Sequence, residues 1–305
     1  MKTNAIVRIV LLSLAIIILG SLLLGVLSIG RLAVKLGESE FVEDLNIPAF
    51  LDDVLEDSSD EVHIVSGGKN TAIFAADEVD SLVIEWAAGD IVIQHGDTDT
   101  ITVAEESVSN KKYEMRIFQT GKTLEIKFCD DGINFIGINN IKAVDKDLVI
   151  TVPMKWNMRE LEVDAASADL TVSDMTIQTA TFDMASGEIY MYNCDVDTID
   201  LDTASGDVEF TGTLNVLECD AASANCIVTV FNSPKHINMD SASGNLELFL
   251  PDDCGFRCNM ETLSGHFSSD FSTSNSDGLY IYGDGACQID MDAMSGSISI
   301  RKNNQ

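Results

Sequence analysis

A chain of 305 residues, 46% of them apolar, can bury a sizeable core, and four prolines with 21 glycines are too few for a collagen-like or disordered chain. Lys and Arg number 18 against 50 Asp and Glu, a net charge of −32. A surface this acidic repels phosphate backbones, which excludes nucleic acid as a partner.

The first element in chain order is a membrane segment. Ile9 to Gly30 runs 22 residues without a charge, about the ~20 needed to cross a bilayer. It is longer than the apolar core of a cleaved signal and has no clear small-x-small cleavage site, so an uncleaved signal anchor is expected. Lys2 and Arg8 flank one side, Arg31 and Lys35 the other, a nearly balanced positive-inside signal. The expected arrangement is a cytoplasmic N-terminus (1–8), a transmembrane helix (9–30) and a single-pass cell-membrane protein with its large domain on the extracytoplasmic side. Residues 31–61 form an acidic juxtamembrane linker, in which Ile47, Phe50, Leu51, Val54 and Leu55 fall at the spacing of a short amphipathic helix.

Residues 62–152 read as irregular coils. The stretches 81–97, 100–106, 113–118 and 123–128 alternate like strands, and 84–93, "IEWAAGDIVI", looks like a degenerate copy of the unit that follows. Residues 129–147 read as a surface loop carrying Phe135 and Ile136.

From 153 to 302 one unit recurs: "LEVDAASADLTV" (161–172), "ATFDMASGEIYM" (180–191), "IDLDTASGDVEF" (199–210), "LECDAASANCIV" (217–228), "INMDSASGNLEL" (237–248), "CNMETLSGHFSS" (258–269) and "IDMDAMSGSISI" (289–300). Strict alternation on both sides of a small-residue turn gives strands with one dry and one wet face. Two short strands and two turns in ~19 residues make one coil of a solenoid, and a lone coil cannot bury its apolar face, which is why copies come in series. The expected fold is all-β: a parallel β-helix or β-solenoid, right-handed by the crossover preference of parallel strands, preceded by one transmembrane helix. The step from Ser264 to Ser295 holds an insertion at 270–283.

Three sets of residues invite a chemical reading. The turn residues Ser167, Ser186, Gly187, Ser205, Gly206, Ser223, Ser243, Gly244, Ser264, Gly265, Ser295 and Gly296 recur at the same place in each coil. A nucleophile would need one copy to differ, with a base beside it, so their role is structural and no catalytic residue is assigned. Asp164, Asp183, Asp202, Asp220 and Asp240, with Glu261 and Asp292 after them, should stack outward as one ladder. Ca²⁺ between coils could offset the repulsion of such a ladder. The Gly-Gly-x-Gly-x-Asp nonapeptide of calcium β-rolls is absent, so a solvated acidic face with no cofactor is the expectation. A second ladder begins Asp169, Glu188, Asp207 and continues Asn225, Asn245, His266, Ser297. Among the seven cysteines, Cys219, Cys226 and Cys258 take inward positions as small core residues, and a Cys254–Cys258 link has nothing to support it. The four histidines show no zinc spacing.

The "ASGD"-type turns, the run "DLVITVPMKWNMRELEVDAASADLTV" (147–172) and the closing "GDGACQIDMDAMSGSISIRK" (283–302) resemble a bacterial family of β-strand-repeat adhesin-like proteins, the LiaG-like domains of unknown function. The resemblance covers roughly 62–302 and departs at Ala168, Ala224 and Asn225. It implies a cell-envelope protein, often membrane-anchored, and carries no family active site. The function expected is therefore an adhesin-like or envelope binding and scaffolding module, with a surface protein or glycan as partner and no catalysis. An accessory protein of an envelope-stress signalling system is the alternative, and a carbohydrate-active β-helix enzyme the outsider.

Overall fold

The structure is a computed structural model that describes residues 60–61, 65–66, 70–106, 113–129 and 146–303. The segment 9–30, the helix expected around 47–55 and the loop residues 130–145, with Phe135 and Ile136, lie outside the described residues. Among the described residues no helix is long and apolar enough to cross a membrane, and every regular element is a strand. The described residues from Glu61 onward belong to one compact unit.

Alternation in sequence becomes alternation in burial. In Asn157–Ser173, Leu161, Val163, Leu170 and Val172 are fully buried, while Glu162 and Asp164 between them are not. Each coil contributes a longer segment ending at the small-Ser turn and a shorter one after it, and equivalent residues of successive coils pair in parallel. One core row runs Val163, Phe182, Leu201, Cys219, Met239. Another, in the short segments, runs Leu170, Ile189, Val208, Cys226, Leu246. Each large side chain buried in such a row is worth ~1.5–3 kcal/mol of hydrophobic transfer, and neighbours above and below are needed to complete the burial. The degenerate copy is a full coil: Ser81–Gly96 pairs with Asn157–Ser173 on both sides of the turn.

The stacking order departs from sequence order at both ends. The last coil, Cys287–Ser295 and Ile298–Lys302, lies between the coil of His236–Leu250 and that of Phe256–Ser269. The ladders expected as Asp240, Glu261, Asp292 and as Asn245, His266, Ser297 therefore run Asp240, Asp292, Glu261 and Asn245, Ser297, His266. Likewise Ser81–Gly96 lies between Asn157–Ser173 and the pair Thr123–Lys127 and Leu148–Pro153. At each end the coil nearest the terminus is second from the end and is paired on both edges.

Antiparallel strands close the ends, so the stretches at 100–106 and 113–118 are caps rather than coils. Asn70–Ala75 and Thr100–Glu105 cover Leu148–Pro153, and Arg116–Thr120 covers Thr123–Lys127. The insertion folds as a hairpin, Ser274–Ser276 with Leu279–Tyr282, whose second strand pairs antiparallel with Phe256–Asn259. Phe256, Phe271 and Tyr282 meet there at centroid separations of 4.8 to 5.8 Å, and Tyr280 stacks on Phe267. These rings keep water from the last core row.

Candidate functional site

The corner between the two segments of each coil carries the repeated turn. Ser186, Ser205, Ser223, Ser243, Ser295 and Ser264 lie in one register row, and Ser167 continues it opposite Ala88. The glycines are there because the coils approach too closely for a side chain. A Cβ on Gly187, whose φ is +133°, would sit 2.0 Å from the carbonyl oxygen of Ala168. On Gly244 it would sit 1.9 Å from that of Ala224.

A tight corner leaves main-chain N–H groups that no strand partner satisfies. Here the side chain at the same position of a neighbouring coil supplies the acceptor. Asp169 Oδ1 accepts from the Glu188 N–H at 2.8 Å and Asp207 Oδ1 from that of Asn225 at 3.0 Å. Asn225 Oδ1 accepts from the Asn245 N–H at 3.3 Å, and Asn245 Oδ1 from that of Ser297 at 3.0 Å. Ser297 Oγ accepts from the His266 N–H at 3.1 Å. Asp169, Asp207, Asn225, Asn245 and Ser297 of the second ladder are thus turn acceptors. In the amide half the ladder is doubled, because Asn225 Nδ2 donates to Asp207 Oδ1 at 3.0 Å and Asn245 Nδ2 to Asn225 Oδ1 at 2.9 Å.

Along the last four coils this corner is concave. A groove of about 340 Å³ is lined by the serine row from Ser223 to Ser264, the turn glycines, and Asn225, Asn245, Ser297 and His266. Its lining is hydroxyl, amide and imidazole, without a carboxylate. One residue before the serines, Met294 and Leu263 stand 41% and 62% exposed in adjacent coils, where the other coils carry alanine. In the sequence Asn225, Asn245, Ser297 and His266 are legible as ladder members but not as the lining of a groove, since the concavity depends on how the last coils stack.

The aspartate ladder is in register as expected: Glu85, Asp164, Asp183, Asp202, Asp220, Asp240, Asp292 and Glu261 succeed one another, with Lys127 at the Glu85 end. Partial burial pushes Asp164 and Asp220 up to about 6, and the adjacent carboxylates, Asp183 beside the first and Asp240 and Asp202 beside the second, push the same way. Asp202 and Asp240 are raised too, burial again first. Among the described residues no group of three or more His, Cys, Asp or Glu side chains is placed to hold a metal ion. Single-file carboxylates on a flat sheet point outward side by side rather than toward a common centre.

The repeat register places Cys219, Cys226 and Cys258 inward and is silent on the other four cysteines. Cys129, Cys194, Cys254 and Cys287 are as buried as Cys219, Cys226 and Cys258, and all seven are thiols. Cys254 shares a hydrogen bond with Cys287, which holds its thiol below the usual range. The Sγ atoms of Cys219 and Cys226 are 3.7 Å apart.

Solved structures resemble the chain at low identity. A candidate adhesin from Bacteroides fragilis NCTC 9343 shares 12% identity over 78% of this chain and 98% of its own, with a TM-score of 0.42. A candidate cell adhesion protein from Clostridium sporogenes ATCC 15579 shares 14% over 78% and 100%, with a TM-score of 0.35. A candidate lipid binding protein from Parabacteroides distasonis ATCC 8503 shares 11% over 78% and 98%, with a TM-score of 0.36. Likeness at this level says nothing of what the chain binds. Among curated proteins none matches it. The Toastrack family, DUF4097, matches twice, over residues 79–232 and 155–301. The two stretches overlap within the repeats, and the chain belongs to that family.

Proposed function

We propose that the chain is an adhesin-like binding and scaffolding module, anchored in the cell membrane by residues 9–30 with its solenoid on the extracytoplasmic side, and that it takes its partner along the groove at the corner of the last four coils. The groove carries the reading. On a chain of net charge −32 it offers donors and acceptors in register without a carboxylate, Asn225, Asn245, Ser297 and His266, with exposed Met294 and Leu263 one residue before its serines. Repeated hydroxyls and amides at coil spacing suit an extended, uncharged polar chain such as an envelope glycan, which exchanges water hydrogen bonds for these at little cost. It works by holding its partner, without turnover.

The test is binding of the full chain to purified envelope glycan, compared with Ser295→Leu, which fills the groove, and His266→Ala. Each variant is expected to weaken binding about tenfold or more, equivalent to ~1.4 kcal/mol, with an unchanged melting curve. Binding that both variants leave intact would sink the groove as the site. Exchanging residues 1–35 for an unrelated anchor separates this role from a signalling one: adhesion survives the exchange, whereas regulation through the membrane segment is lost.

A further inference from the structure

A lysine is buried at the N-terminal end of the core. Lys146 is 1% exposed and Glu105 2%, and the two form an ion pair. Lys146 Nζ also donates to the carbonyl of Tyr113 at 2.7 Å and to that of Phe128. It lies 4.2 Å from the ring centroid of Phe128 and 4.7 Å from that of Trp86. Trp86 Nε1 donates to the carbonyl of Lys146 itself at 3.0 Å, which fixes the backbone from which the amine projects. On the other side of the carboxylate, Asn70 Nδ2 donates to Glu105 Oε1, while the Met115 N–H faces both carboxylate oxygens at 3.0 Å.

The antiparallel cap makes this meeting. Asn70 pairs with Glu105 across one strand interface, Glu105 pairs with Leu148 across the next, and Lys146 stands two residues ahead of Leu148. One buried carboxylate thus holds an amine on Oε2 and a carboxamide on Oε1. A buried ion pair is weak evidence for stability, since apolar side chains of similar volume do as well. An amine buried among aromatic rings and a half-buried carboxamide, bridged by one carboxylate, are the reactants and the proton carrier of an amide exchange.

We propose that Lys146 and Asn70 join in a self-catalysed isopeptide bond, with Glu105 as the catalytic residue. The Lys146 ammonium gives one proton to Glu105, and the neutral amine attacks Cγ of Asn70, whose carbonyl pair moves onto oxygen. Glu105 passes its proton to the amide nitrogen. The Cγ–Nδ2 bond breaks, and ammonia leaves with the bonding pair. The carbonyl re-forms as the new nitrogen loses its extra proton to Glu105. The products are a secondary amide, a protonated Glu105 and one ammonia, with no change in charge and no oxidant. Burial drives the Lys146 amine down from its ordinary range, which favours the nucleophilic form. The bond ties the strand Asn70–Ala75 to the entry of Leu148–Pro153 and locks the N-terminal cap.

Intact mass measurement of the full chain under denaturing conditions tests this. The wild type is expected to be lighter than its sequence by one ammonia, and digestion to release a branched peptide containing Lys146 and Asn70. Asn70→Asp changes the leaving group to water and should converge on the mature wild-type mass. Asn70→Ala, Lys146→Met and Glu105→Gln should keep their full sequence masses. A wild-type chain at full sequence mass overturns the bond. A Glu105→Gln chain that still loses ammonia overturns the catalytic role of Glu105.

Discussion

The solenoid solves the same corner with two kinds of side chain. In the first coils the acceptors are Asp169 and Asp207, and Glu188 between them is drawn aside to accept from the Tyr190 hydroxyl. In the last coils they are Asn225, Asn245 and Ser297. A carboxylate can only accept, so stacked carboxylates repel one another. An amide accepts from one neighbour and donates to the other, and its ladder continues unbroken. The acidic half therefore suits solvent, and the amide half lines a groove that contains no carboxylate.

The comparison can be broken hardest at the glycines. Gly187→Ala suffers both the approach to Ala168 and a backbone φ of +133°, whereas Gly244→Ala suffers the approach alone. Urea unfolding is expected to show a loss of about 3 kcal/mol or more at 187 and about 2 kcal/mol at 244. Equal losses would mean that the two halves hold their corners alike.

The ladder itself is tested by Asn245→Asp, which exchanges the donor facing Asn225 Oδ1 for a second acceptor. The expected cost is about 1–2 kcal/mol at neutral pH, with recovery below about pH 4, where the new carboxyl regains a proton. A cost that persists in acid would place the effect elsewhere than in the lost donor.

A smaller effect belongs to the aspartate ladder, which runs through both halves. The folded chain raises Asp164 and Asp220 to about 6, and Asp202 and Asp240 in the same direction. Folding thus favours their protonated forms. The stability they confer is complete below the ordinary carboxylate range and is lost as pH rises through about 6. The melting temperature should rise by a few degrees between about pH 7.5 and about pH 5, and a fall over that window contradicts the assignment. Smallest of all is the response to Ca²⁺. Outward carboxylates in single file should answer millimolar Ca²⁺ no differently from Mg²⁺ at the same ionic strength, by screening alone. A Ca²⁺-specific rise in melting temperature would establish a built site.

Much of this was legible in the sequence because the repeat has period two within strands and a fixed turn between them. That pattern alone placed Phe182, Leu201 and Met239 inside, put the serines and glycines at the corner, and brought Asp164 to Asp240 into one file. The groove was not legible. Asn225, Asn245 and His266 stood out only as departures from an acidic consensus, and nothing local says that a side chain will accept from the next coil. Asn70, Glu105 and Lys146 were equally hidden, because residues 35 and 41 positions apart meet through the antiparallel cap and not through the repeat. The order of the last two coils escaped for a sharper reason: rungs of nearly the same composition stack on one another equally well.

That interchange has a consequence for how the chain is made. A string of repeats emerging from the ribosome should add each coil to the previous one. Here the segment 256–269 emerges before its true inner neighbour exists, and the coil of 236–250 offers it a chemically similar but wrong seat. The hairpin decides the matter. Leu279–Tyr282 folds back on Phe256–Asn259 within a short stretch of chain and occupies the outer edge of that strand. Only the inner edge is then open, and residues 287–302 occupy it in the folded chain. A chain that lost the hairpin but kept both coils would be free to stack in the order of its synthesis, with its newest coil left outermost and uncapped.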